Sequence, residues 1–120
     1  MTYDDYNAFC ATLPATTYVV QWGGSHVWKV GGKVFCIGGG AAEAPAYSFK
    51  ASDIAFMILP ERPGFRPAPY LASRGLKWIQ AQGFEVDEGE LRDLIRASHG
   101  LVVAGFSRRK RRELGLQDLC

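Results

Sequence analysis

The sequence is poor in the residues that support catalysis and metal binding. It has two histidines, three cysteines and no CxxC pair in 120 residues. Cys10, Cys36 and Cys120 are odd in number and widely spaced, so they read as reduced thiols in a cytosol, not as disulfide staples or zinc ligands. Long hydrophobic runs are missing too: the longest, Ile54–Leu59, is far too short to span a bilayer. The opening stretch MTYDDYNAF is acidic and lacks an apolar segment, so no secretory signal is expected and the expected compartment is the cytoplasm. Gly38-Gly39-Gly40 is not followed by Lys-Ser/Thr, which argues against a phosphate-cradling P-loop. There is no internal repeat and no low-complexity segment.

What is present is an ordinary globular composition, 48% hydrophobic and 22% charged, in a length suited to one domain over residues 1–120. The net charge of +2 hides an asymmetry. Residues 1–60 hold three Lys/Arg against four Asp/Glu, whereas residues 61–120 hold eleven against eight. Five of those eleven are consecutive, Arg108, Arg109, Lys110, Arg111 and Arg112, and a localised block bears on partners where the net charge does not.

The stretch VWKVGGKVFCIGG, residues 27–39, sets the architecture. Gly31-Gly32 between two apolar runs suits a type I′ turn, in which both central residues take positive φ. The expected register pairs Val30 with Lys33, Lys29 with Val34, Trp28 with Phe35 and Val27 with Cys36. Alternation then puts Trp28, Val30, Phe35 and Ile37 on a core face, and Val27, Lys29, Val34 and Cys36 on a partly wet one.

The remaining chain reads in order. Thr2 and Asp5 resemble a capping box for a helix carrying Tyr6, Phe9, Cys10 and Leu13, ended by Pro14. Thr16–Trp22 is a β-branched and aromatic strand turned by Gly23-Gly24-Ser25. Tyr47–Lys50 adds a short strand, and Ser52 caps a helix reaching Leu59 before Pro60. The segment PGFRPAPY is expected to be irregular. Tyr70–Ala72 and Leu76–Gln80 are expected to form a second hairpin around Ser73-Arg74-Gly75. Asp87 and Glu90 head the last long helix, with a core stripe of Leu91, Leu94, Ile95, Ser98, Leu101 and Val102. Gly105 closes it, and Ser107 caps a short basic helix that Gly115 ends. The predicted class is α+β: a curved antiparallel sheet of about five strands with helices on one face.

Candidate chemistry is sparse. The block SRRKRREL could contact phosphates, although five consecutive cations on a helix point nearly all round, so about three can face one partner. Read without a partner, it is a solvated helix whose cations complement the negative end of its dipole. Arg66, Arg74 and Lys77 lie on or near the expected second hairpin, with Tyr70 and Trp78 as candidate stacking partners; Trp78 reads more readily as core. His26 beside a turn and His99 in a helix have no nucleophile in sequence reach, and His99 reads as a packing or boundary residue. Asp87, Glu88, Glu90 and Asp93 form an acidic cluster that reads as capping and a solvated face, not as a metal site. No catalytic constellation, cofactor site or metal site is expected.

Three blocks carry a family resemblance: WKVGGKVF at Trp28–Phe35, PGFRPAPYL through GLKW at Pro63–Trp78, and ELRDLIRASHGLVVAGFSRRKRREL at Glu90–Leu114. In their order and in the closing LIxxSxxLVVAxxSxxxR pattern, the chain resembles the MmcQ/YjbR-like proteins over roughly residues 7–114. The resemblance implies a curved antiparallel sheet with helices on one face, similar in outline to type III secretion chaperones and frataxin-like folds. It also implies DNA binding by two β-hairpin wings flanking a basic element. The wings would be Lys29–Lys33 and Ser73–Lys77.

The resulting expectation is a small non-enzymatic protein that binds DNA weakly and largely non-specifically. The residues assigned to that role are Arg66, Arg74, Lys77, Arg108, Arg109, Lys110, Arg111 and Arg112. The competing reading is a protein-interaction or chaperone-like module that receives a protein or peptide on the exposed sheet face or edge.

Overall fold

The computed structural model describes residues 1–116; Cys120 lies outside them. Among these residues six strands form a single antiparallel sheet: β1 (Thr16–Gln21), β2 (Ser25–Val30), β3 (Lys33–Gly39), β4 (Ala46–Lys50), β5 (Phe65–Pro67) and β6 (Trp78–Gln82). Their spatial order is β1-β2-β3-β4-β6-β5. Four α-helices accompany them among the described residues: α1 (Tyr3–Thr12), α2 (Asp53–Ile58), α3 (Glu88–Ala104) and α4 (Arg108–Glu113). α1 packs on β1 and β2, and α3 crosses β2, β3 and β4, which gives the expected α+β class with the core between helices and sheet. No helix among the described residues is long and apolar enough to cross a membrane.

The helix starts follow the sequence signals. Thr2, Ser52, Asp87 and Ser107 each accept a hydrogen bond from the backbone N–H three residues on, at 3.2, 3.2, 3.0 and 3.1 Å. Each cap satisfies a donor that the first helical turn leaves orphaned. α2 stops at Ile58, and Leu59–Glu61 tightens into a 3-10 turn as Pro60 arrives.

The tip of the β2–β3 hairpin is as expected. Gly31 and Gly32 have φ of 56° and 84°, and Val30 faces Lys33 while Lys29 faces Val34. Beyond that pair the register departs from expectation, because Trp28 faces Cys36 and Val27 faces Ile37. Phe35 is therefore an extra residue, a β-bulge, and a bulge turns two successive side chains toward one side. Phe35 and Cys36 both enter the core with no exposed surface. Ile37, expected in the core, lies instead on the face away from the helices. Val27 also faces away from the helix-side core, yet it is fully buried there between Val19 and Ile37.

The second correction concerns Pro63–Gln80. The stretch expected to be irregular contains β5, which pairs Phe65 with Ala81, Arg66 with Gln80 and Pro67 with Ile79. Residues 72–74 form a 3-10 turn closed by Gly75 at φ 84°, so there is no hairpin around Ser73. Pro67 is tolerated because β5 is an edge strand, where a missing N–H interrupts no ladder.

The two hairpin glycines differ in what surrounds them. A Cβ on Gly32 would meet nothing within 4 Å, whereas one on Gly31 would sit 2.7 Å from Leu114 Cδ1 and 3.0 Å from Phe106 Cε2. Gly32→Val should therefore lose about 1–2 kcal/mol to backbone strain alone. Gly31→Val should lose measurably more, since Leu114 and Phe106 must also move. Equal denaturation midpoints for the two variants would contradict the packing of the C-terminal segment on this turn.

Candidate nucleic-acid interface

Because the bulge redirects Ile37, one row of side chains crosses the whole open face: Val19, Val27, Ile37, Ser48, Gln80 and Arg66, one from each strand. The row grades from apolar at β1 to amide and cation at β5. From Ile37 to Arg66 it spans three strand gaps, about 14 Å. The next row, Gly39, Ala46 and Gln82, has almost no bulk in its first two members. The missing bulk leaves a groove of about 860 Å³ across the open face.

Loops at the ends of the sheet build its walls. Trp22 and Ser25 stand at the β1–β2 turn, Gly40 and Ala44 in the β3–β4 connection, and Pro69, Tyr70, Leu71 and Arg74 in the β5–β6 connection. Trp22 and Tyr70 are 63% and 69% exposed, the posture of aromatic rings without an intramolecular partner large enough to bury them. Both residues have positive φ, 52° and 70°, a region that side-chain-bearing residues rarely occupy. Arg66 Nε donates to Gln80 Oε1 at 2.7 Å, which fixes the guanidinium over the sheet. Arg74 Nη1 donates to Tyr70 Oη at 3.1 Å, and its guanidinium carbon lies 5.5 Å from the Tyr70 ring centre. Among the described residues, no aspartate or glutamate lines the groove.

Arg66 and Arg74 are thus brought together, and the other sequence-predicted cations are not part of this groove. Lys77 forms an ion pair with Asp53 at 2.7 Å. The residues flanking α4, Phe106 and Leu114, lie beside Gly31, at the opposite end of β3 from Gly39, about 20 Å away along the strand. Within α4, Arg109 pairs with Glu113 at 3.2 Å, and Lys110 Nζ lies 4.2 Å from the Phe106 ring centre. Arg108 and Arg112 are exposed and Arg111 is half-buried. Trp78 is half-buried at the start of β6, opposite Lys50.

The acidic cluster at the head of α3, His99 and Cys36 have structural settings. Asp87 caps α3, Glu88 and Asp93 pair with Arg92 and Arg96, and Glu90 accepts two hydrogen bonds from Arg62, at 2.6 and 2.7 Å. That fork holds the Glu90 carboxyl below the usual carboxylate range. His99 is buried, with Nε2 2.9 Å from the Pro14 carbonyl oxygen and its ring edge-on to Phe35; burial lowers its pKa. Burial pushes the Cys36 thiol up to about 12, which leaves it protonated and inert at neutral pH.

Trp22 and Tyr70 were not singled out together by the sequence. The available signal was their setting: Trp22 precedes Gly23-Gly24 and Tyr70 follows Pro69, so both rings sit in turn chemistry where a core has little use for them.

A six-stranded antiparallel sheet with its helices on one face and an arginine-bearing groove on the other defines an open-faced α+β fold. A family model described as YjbR matches residues 11–101, and the chain belongs to the YjbR family. It is similar to a Deinococcus radiodurans protein whose crystal structure carries a DUF419 domain. The TM-score is 0.84 and the identity 25%, over 98% of this chain and 90% of that one. It also shares its fold with a Pseudomonas syringae protein of known crystal structure, at TM-score 0.67 and 15% identity, over 82% of this chain and 96% of that one. No curated protein matches the chain.

Proposed function

We propose that this protein is a non-enzymatic nucleic-acid-binding protein whose contact surface is the groove on the open sheet face. The observation that carries the reading is the composition of that groove: two arginines, exposed aromatic rings and neutral amides, with no carboxylate among the described residues that line it. Arginine presents a planar fork suited to phosphate oxygens, and phosphate contacts dominate affinity that is independent of sequence. The basic α4 helix is a separate cationic surface at the far end of the sheet, able to add attraction but not to share the groove. With six residues and cations in several directions, it is poorly shaped to read bases.

The test is a titration of labelled nucleic acid at several salt concentrations. Arg66→Gln with Arg74→Gln should weaken binding and flatten the log–log salt dependence by about 0.7–0.9 per arginine. Replacing Arg108, Arg109, Arg111 and Arg112 with Gln should weaken binding less than the groove pair does. No binding by the wild type at low salt would refute the proposal. Loss confined to the α4 variant would move the contact surface to that helix.

A second reading has its own observation. β1 is an edge strand, TTYVVQ, with no charged residue and with Tyr18 and Val20 exposed at 43% and 53%. Such an edge lacks the charge that ordinarily guards against strand addition, so an extended peptide could pair there. Placing a lysine at Val20 should block such a partner and leave nucleic-acid binding unchanged.

A further inference from the structure

We infer that the groove takes single-stranded nucleic acid, with bases stacked on Trp22 and Tyr70 and the backbone phosphates on Arg66 and Arg74. The inference rests on the nucleic-acid reading above and specifies the form of the ligand. It starts from the backbone. Among the described residues only Ala15, Trp22 and Tyr70 have positive φ without being glycine, and two of these three are exposed aromatics lining one groove. A strained conformation persists where the surroundings hold it, and such residues gather at ligand clamps. Glycine would fit both positions without strain. At Trp22 the chain keeps a large ring next to two glycines, Gly23 and Gly24, that already take the positive φ such a turn needs.

The chemistry on either side is that of a strand whose bases are unpaired. Exposed rings offer stacking faces that tolerate any base, while cations follow the sugar–phosphate chain. Arg74 lies against one face of Tyr70, joining a phosphate ligand and a stacking platform in one unit. Between the walls, Ser48, Gln80 and Gln82 are neutral donors and acceptors, matched to the Watson–Crick base edges that only a single strand exposes. A duplex hides those edges and stacks its bases internally, so it could use the arginines but not the rings. The floor is an antiparallel sheet, and among the described residues no α-helix contributes to the lining, so nothing described in the groove is shaped to enter a major groove.

The experiment measures binding of an oligothymidylate of about 12 nucleotides, the same strand paired with its complement, and a polyglutamate peptide, each to the full chain. Wild type should prefer the single strand over the duplex by tenfold or more, and the strand should quench tryptophan fluorescence. Trp22→Gly should weaken single-strand binding by about tenfold or more, remove most of the quenching and leave the thermal midpoint little changed. Trp22→Phe, which restores a ring, should recover most of the affinity. Equal affinity for strand and duplex, or a Trp22→Gly variant that binds like wild type, would overturn this inference while leaving the nucleic-acid reading standing. Polyglutamate bound as tightly as the oligonucleotide would overturn it by reducing the groove to a general anion site. No binding of either nucleic acid would defeat both.

Discussion

Trp28→Ala should lower the stability of the fold by about 3–5 kcal/mol, the largest effect expected of any substitution named here. Trp28 is 7% exposed, lies on the helix face of β2 and contacts three elements. Its indole Nε1 donates to Asn7 Oδ1 of α1 at 2.9 Å, its ring packs 5.2 Å from that of Tyr18 on β1, and Cys36 faces it from β3. Truncation would leave a cavity between sheet and helix and deprive Asn7 of its partner, and each loss adds to the transfer free energy of the ring. Chemical denaturation of the variant gives the result. A midpoint near that of wild type would mean that the ring is not buried where the fold places it. Trp22→Ala is the internal comparison: same chemistry, exposed site, and an expected stability change within about 0.5 kcal/mol.

Ser98→Ala should cost about 2–4 kcal/mol, far more than the loss of one exposed hydroxyl. Ser98 is fully buried on α3, above the β3 bulge. Its hydroxyl donates to the Phe35 carbonyl at 2.7 Å and accepts from the Lys50 N–H at 2.9 Å. The bulge pulls Phe35 out of the ladder, and the serine bridges the two backbone groups that would otherwise go without partners. Alanine would leave both unsatisfied at a buried site. Ser98→Thr, which keeps the hydroxyl, should recover part of the loss if the extra methyl is accommodated. A Ser98→Ala variant as stable as wild type would contradict the bridging role and, with it, the bulge that turns Ile37 onto the open face.

That bulge also marks where sequence reasoning stopped. The turn at Gly31-Gly32, the four helix caps and the core stripe of α3 were legible because each rests on local chemistry: positive φ, a side-chain acceptor, a 3.6-residue period. The bulge was not. Phe35, Cys36 and Ile37 are three apolar residues in a row, and nothing in their pattern says that two successive side chains share a face. The signal was remote, in a serine sixty-three positions on whose hydroxyl meets the Phe35 carbonyl. β5 was missed for a different reason. Three residues flanked by Gly64, Pro63 and Pro69 read as a loop, and only pairing with β6 makes them a strand. The groove inherits both omissions. Arg66 and Arg74 were chosen as candidates for their charge and proximity to aromatics, but the fold separates them from Lys77 and α4. It gives them Trp22, from a turn about fifty residues earlier in the chain.

The family explains why so much was recoverable: its blocks fall on the hairpin, on the β5–β6 region and on α3 with α4. They specify the scaffold. The groove depends instead on small residues, Gly39 and Ala46, that make room, and on two rings that the turns hold outward.

The central claim is that the open sheet face, and not the basic C-terminal helix, receives the nucleic acid. Amide and side-chain resonances of the isotope-labelled protein, followed while an oligothymidylate is added, test it most directly. The account predicts shifts concentrated at Trp22, Ile37, Ser48, Tyr70, Arg74, Gln80 and Gln82, including the Trp22 indole N–H, with Arg108–Arg112 little affected. Shifts confined to Arg108–Arg112 and the Gly31 turn, with the groove silent, would contradict it.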